Sequence, residues 1–271
     1  MVTWMLLVAC SSSPSEPGPS EPVVPTSETA DPEAPTTSTP ETGSPSDTAP
    51  PVPPRVLLFT KTEGFRHGSI AQAVPALQAE GAKRGWTVTH TEDAGTFTPA
   101  SLADFDVIVF LLTTGDVLDA DQQAAMEGFV AAGGGFAGVH SATDTEYDWP
   151  WYGELVGAYF SGHPRVQSAD VLVDDARHPA TAHLTTPWNR DDEWYAFRDN
   201  PRARVDVLLS LDESSYDPGN HAMDGDHPIA WSQTIHGGRS FYTAGGHTSA
   251  SYGEADFLRH LAEGIAWAAG S

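Results

Sequence analysis

One cysteine occurs among the 271 residues, and it stands at position 10. No intrachain disulfide can form, and beyond that position a cysteine nucleophile, a cysteine-ligated zinc and an iron–sulfur cluster are excluded. Basic residues are also scarce: 13 Lys and Arg face 37 Asp and Glu, a formal net charge of −24. A field of that sign repels phosphate backbones and anionic lipid surfaces, which argues against nucleic acid as a partner. No G-x-G-x-x-G and no phosphate-loop lysine follow the first strand-like run, so a nucleotide cofactor has no support. No H-E-x-x-H occurs either.

Lys and Arg are missing altogether from residues 11 to 54, which hold 13 of the 22 prolines and seven acids. The remaining residues therefore still carry −17. A stretch so poor in apolar side chains cannot offset the entropy of ordering it, and it is expected to be a disordered, semi-extended spacer. Ahead of it lies MVTWMLLVAC. Its apolar run, Val2 to Ala9, is too short to span a bilayer, which takes roughly 20 residues, and it reads as the truncated end of a secretory signal. Leu7-Val8-Ala9-Cys10 resembles the bacterial lipobox, which implies lipidation at Cys10. The expectation is an exported lipoprotein facing the periplasm or cell exterior, held to the membrane only by its lipid. The domain spans residues 55 to 271.

Within the domain, Arg55 to Thr60 and Asp106 to Leu112 are short apolar runs of the kind buried on both faces of a sheet. Thr87 to Thr91 and Phe136 to His140 complete four strands in this half. Between them, Ser69 is placed to cap a helix through Ala82, although Pro75 favours a start a residue or two later. A second helix runs from Asp119 to Ala132. This β-α-β rhythm implies parallel strands with right-handed crossovers. Strands follow at Asp170 to Val173, Val205 to Leu211, Ile229 to Thr234 and Arg239 to Thr243, and a helix from Glu254 to Ala269 closes the chain.

Ligands of open parallel sheets bind beyond the carboxyl ends of the strands. The strands ending at Thr60, Leu112 and His140 deliver three polar loops to one such edge, and four constellations in the domain could carry chemistry. Gly64-Phe65-Arg66-His67-Gly68 lets the backbone turn tightly beside a histidine suited to metal ligation or proton transfer. In Gly138-Val139-His140-Ser141-Ala142-Thr143-Asp144, a strand turns sharply on a polar residue, the geometry of a nucleophile elbow, with His140 or Ser141 at the corner. Asp191-Asp192-Glu193 sets three carboxylates side by side, a strain relieved by a cation, hydrogen bonds or solvent, with Trp194 and Tyr195 as flat faces for a sugar ring or as packing. The fourth is Gly245-Gly246-His247. His178 and His227, each before a proline, read as structural; His163, also before a proline, stays open.

These motifs, GFRHGS, GGGFAGVHSATD, FSGHP, DDEWYAF, HPIAW and GGRSFYTAGGHT, occur in an order that resembles the ThuA-like, trehalose-utilisation family from about Arg55 to the C-terminus. The resemblance implies an α/β fold of the class I glutamine amidotransferase-like, flavodoxin-like kind: a three-layer sandwich about a mainly parallel sheet. Amidotransferases carry cysteine at the elbow. The matching corner here is His140-Ser141, so glutaminase activity is not expected. The family further implies carbohydrate catabolism, on sugars oxidised at C3, and a divalent metal ion. On that basis His140, Asp144 and Glu193 are the expected catalytic residues. Phe65, His67, Ser141, Trp194, Tyr195 and His247 are the expected substrate contacts, and His67, His140 and His247 the expected metal ligands. The competing functions are a non-catalytic carbohydrate-binding module and a metal-dependent hydrolase of another bond.

Overall fold

The computed structural model describes residues 52–271. The signal, the lipidation expected at Cys10 and nearly all of the expected spacer lie outside the described residues. The first half alternates strictly: β1 (Arg55–Phe59), α1 (Ile70–Lys83), β2 (Thr87–Thr91), α2 (Pro99–Leu102), β3 (Val107–Leu111), α3 (Ala120–Ala131), β4 (Gly135–Val139) and α4 (Pro150–Val156). Strands then dominate: β5 (Phe160–Gly162), β6 (Gln167–Val173), β7 (Trp188–Asp192), β8 (Ala196–Phe197), β9 (Asp206–Leu211), β10 (His227–Ile235) and β11 (Gly238–Thr243), before the closing α5 (Ala255–Ala269).

Nine strands form one sheet in the order β2-β1-β3-β4-β11-β10-β9-β6-β7, and β5 pairs with β8 apart from it. The first five pair in parallel. Every pairing from β11 to β7 is antiparallel. The parallel part follows from the all-apolar runs: every residue of β3 and β4 is buried, as strands covered on both faces must be. Four reversals lead from β11 to β7, so β7 again points the way the parallel strands do. Its carboxyl end, at Asp192, comes to the same edge as those of β1, β3, β4 and β11.

Helices cover both faces. In β11 the Ser240 hydroxyl donates to the Leu155 carbonyl of α4 at 2.5 Å, whereas the next side chain, Phe241, packs against Gly264 of α5 so closely that a Cβ there would meet it at 2.4 Å. Successive side chains of a strand point to opposite faces, so α4 and α5 lie on opposite sides. An aromatic cluster of Phe59, Phe97, Phe110, Phe136 and Tyr152 fills the parallel half. Each such ring removed from water contributes about 1.5–3 kcal/mol.

Two local expectations are corrected. α1 starts at Ile70 and contains Pro75, because the missing N–H forfeits only the bond to the Ala71 carbonyl while the helix face keeps Ile70, Ala73 and Leu77 buried. Ser69 precedes that helix but makes no side-chain cap. Its hydroxyl donates instead to the Gly246 carbonyl at 3.2 Å, tying the loop after β1 to the loop after β11.

Candidate metal centre

The loops beyond the parallel strands are bound to one another before any catalytic side chain is considered. Glu63 N–H donates to the Thr114 carbonyl at 2.8 Å, and Gly115 N–H to the Asp144 carbonyl at 2.9 Å. The Thr114 hydroxyl donates to the Phe65 carbonyl at 2.9 Å. Buried Glu146 accepts the N–H groups of Val117 and Leu118, each at 2.8 Å. The Thr113–Asp116 loop thus braces the site and adds no ligand to it.

On this frame the chain brings His67, His140, Glu193 and His247 together, one potential ligand atom from each lying within 4.8 Å of all the others. They come from the loops after β1, β4, β7 and β11. The His67 ring meets those of His140 and His247 nearly at right angles, with centroids 4.8 and 5.2 Å away. A Glu193 carboxylate oxygen, Oε2, stands 2.9 Å from His247 Nδ1 and 3.5 Å from His140 Nε2. The two histidine nitrogens are 3.3 Å apart.

His140 sits at the corner the sequence marks. Its φ is +53°, a left-handed conformation that costs a non-glycine residue about 1–2 kcal/mol. Its carbonyl accepts the Tyr242 hydroxyl at 2.8 Å, and its Nδ1 lies 2.7 Å from the Ala244 carbonyl. A carbonyl only accepts, so Nδ1 donates to it and Nε2 is the nitrogen turned into the cluster. Tyr195 lies against the ring, centroids 4.0 Å apart. Ser141 is buried beside it, with Oγ 3.4 Å from His67 Nδ1.

Burial and the neighbouring His140 and His247 push His67 down to about 3, so it is neutral with a lone pair to give. Burial alone would raise Glu193, but hydrogen bonds from His140 and His247 outweigh it and hold the carboxyl well below its usual range. His247 is raised, chiefly by its hydrogen bond to Glu193. Three imidazoles and one carboxylate are the donor set of zinc and similar divalent ions. Two donors placed tetrahedrally about such an ion stand about 3.3–3.4 Å apart, close to the separations among Glu193, His140 and His247, and with His67 inside the same 4.8 Å group the residues fit a divalent metal.

The expected residues do not all play equal parts. Asp144 is outside the four-residue cluster. It is half-buried, accepts the Tyr147 hydroxyl at 2.6 Å, and is raised by burial. Phe65 lies at the mouth, 66% exposed, its ring edge-on to His67 at 4.9 Å. Trp194 must be corrected: it is fully buried, and its indole N–H donates to the Gln167 carbonyl at 2.9 Å, so it is packing and offers no face to a sugar. Tyr195 is likewise buried and acts as backing for His140.

His163 belongs at the site. Its Nδ1 is 3.1 Å from Glu193 Oε1, and its half-exposed ring stacks over Tyr195. The Ser-Gly-His-Pro setting gives no periodicity to place it; only its recurrence beside other glycine-flanked histidines hints at a role. His227 is held between Glu213 and the Tyr195 carbonyl, and His178 packs on Trp267, both structural as read.

A family model described as ThuA, trehalose utilisation, matches residues 55–268. Among solved structures, a ThuA-like protein from Bacteroides uniformis aligns with a TM-score of 0.69 at 24% identity, over 83% of this chain and 95% of that one. A ThuA-like protein from Parabacteroides merdae gives 0.67 at 19% identity, over 80% and 90%. A β-galactosidase from Bacillus circulans sp. alkalophilus gives 0.52 at 14% identity, 80% of this chain lying over 31% of that one. Identities this low establish shared fold alone. No curated protein matches. With the family match running through nearly the whole described domain, the chain belongs to the ThuA family, a family of carbohydrate utilisation.

Proposed function

We propose that this protein is an enzyme that cleaves 3-keto-glycosides, trehalose-type keto-disaccharides among them, by elimination and hydration. The observation that carries the reading is the compact set of His67, His140, Glu193 and His247 beside the half-buried acid Asp144, in a family named for sugar utilisation. A divalent ion held by those four residues would act as a Lewis acid toward the substrate's C3 carbonyl oxygen.

The carbonyl acidifies the neighbouring C2–H. Asp144, whose basicity burial raises, takes that proton. The electron pair left at C2 forms the C1–C2 double bond as the C1–O bond breaks, and the pair of that bond leaves on the aglycone oxygen, which gains a proton. Water then adds across the double bond, oxygen to C1 and hydrogen to C2, and the sum is hydrolysis. Glu193, engaged by three histidines, holds the ion in this scheme and leaves the proton to Asp144. Phe65 covers a ring at the mouth. The strand order β2-β1-β3-β4-β11 supports reading the parallel half as flavodoxin-like. We further propose export and lipidation at Cys10, tested by fatty-acid labelling of wild type and Cys10→Ala.

Incubation with 3-keto-trehalose and a divalent salt is expected to release glucose and 3-keto-glucose, to leave trehalose intact, and to fail with His140→Ala. Binding without release would instead favour a carbohydrate-binding module. Cleavage of unoxidised esters or glycosides, lost with chelator, would favour another metal-dependent hydrolase.

A further inference from the structure

We infer that Asp192, with its partner Arg190, is the positioning residue that holds the metal ligands in register; the inference rests on the metal reading above. Its carboxylate is fully buried and takes five donors. Oδ1 accepts Glu193 N–H at 2.9 Å and His247 N–H at 3.0 Å. Oδ2 accepts Gly246 N–H at 2.8 Å, an Arg190 guanidinium N–H at 2.8 Å and the Ser251 hydroxyl at 3.3 Å. Two of the four ligand residues, Glu193 and His247, are therefore fastened by their own backbone N–H groups to one side chain.

The other two are reached through the same loop. Ala244, which fixes the His140 ring by its carbonyl, lies two residues before Gly246. Gly246 itself accepts Ser69, next but one to His67. Gly246 adopts φ +114°, and a Cβ there would meet the Tyr252 hydroxyl at 2.6 Å. The turn there therefore needs glycine, whose backbone is free to take other conformations, and Asp192 is the group that pins it. Arg190 keeps the carboxylate in place from behind: Glu254, at the start of α5, binds its guanidinium at 3.0 and 3.2 Å, and Ser251 at 2.9 Å. An amide at position 192 would keep the shape but lose an acceptor and the charge facing Arg190. Asp191, one residue back, is exposed on the strand and makes none of these contacts.

Cobalt(II) serves as the probe, because its absorption reports ligand geometry, and the full chain is titrated with it. Asp191→Asn is expected to bind as wild type does. Asp192→Asn is expected to bind about ten- to a hundredfold more weakly, with an altered cobalt spectrum and an unchanged far-ultraviolet circular dichroism. Wild-type affinity and spectrum in folded Asp192→Asn overturn the inference and leave the metal reading standing. Wild type that binds no cobalt overturns the metal reading, and the inference with it. Should Asp192→Asn fail to fold, Glu254→Gln decides: it loosens Arg190 from a partly exposed position, and an unchanged spectrum and affinity there overturn the inference.

Discussion

His140 Nδ1 and the Ala244 carbonyl, 2.7 Å apart, decide which nitrogen of the elbow histidine faces the site. Because Nδ1 is committed, Nε2 is the ligand atom, and the ring cannot swap roles without losing a buried hydrogen bond. His140→Gln pays the same backbone strain as His140, so its fold should survive. It should bind zinc at least about a hundredfold more weakly, since a ligand is lost outright rather than misaligned. Wild type should bind one equivalent per chain. Calorimetric titration of both proteins checks this.

Asp144 should be separable from metal binding. Asp144→Asn is expected to keep wild-type zinc affinity and to lower kcat by about 10²–10⁴, the range for a lost general base. As a base it must be ionised, and burial raises its pKa. Activity should therefore rise with pH through a limb placed above the ordinary carboxylate range, and the Asn variant should lack that limb. Tyr147 lowers the same pKa by donating its hydroxyl at 2.6 Å, so Tyr147→Phe should move the limb to higher pH. A limb that stays put in Tyr147→Phe would count against Asp144 as the base.

Two aromatic residues that look alike in the sequence should behave oppositely. Phe65 is largely exposed and Trp194 fully buried. Phe65→Ala should change unfolding free energy by less than about 0.5 kcal/mol while raising KM for the keto-disaccharide. Trp194→Ala should cost about 3–5 kcal/mol by opening a large cavity. Thermal unfolding and initial-rate kinetics on the two variants are sufficient. A normal KM in Phe65→Ala would remove it from the substrate contacts.

That contrast marks where the sequence stops being readable. The buried parallel strands announce themselves as apolar runs, and a histidine ending one of them, His140, falls at the elbow by topology alone. His67 and His247 are legible for the same reason, each next to a glycine in a loop beyond a strand. Glu193 is different. Its strand, β7, is Trp-Asn-Arg-Asp-Asp with no alternation of apolar residues, because buried Arg190 and Asp192 satisfy each other across the face where apolar side chains would stand. A charged pair of that kind reads as a solvated turn. Trp194 is then left open between a face for a sugar ring and packing, since nothing local shows that the chain has already entered the core. His163 depends on β5 pairing with β8, a contact some 35 residues away in the chain, and no local pattern encodes it.

Acid stability gives a last expectation, away from the site. His260 in α5 is fully buried among aromatic rings, with Nδ1 2.9 Å from the Ala180 carbonyl and Nε2 without a partner among the described residues. Burial pushes it down to about 3, so the folded protein keeps it neutral. The unfolded chain titrates it near its ordinary value of about 6.5. Below that value the unfolded state binds more protons than the folded one, so this group's contribution is complete above about pH 6.5 and is lost as pH falls toward 3. Between pH 7 and pH 5 the loss should be about 2 kcal/mol. His260→Leu cannot take up the proton. It should be less stable than wild type at pH 7, where the Ala180 carbonyl loses its donor, but its stability should fall less steeply between pH 7 and 5. Denaturant unfolding of both proteins across that range measures the two slopes, and equal slopes would show that His260 does not titrate between the two states.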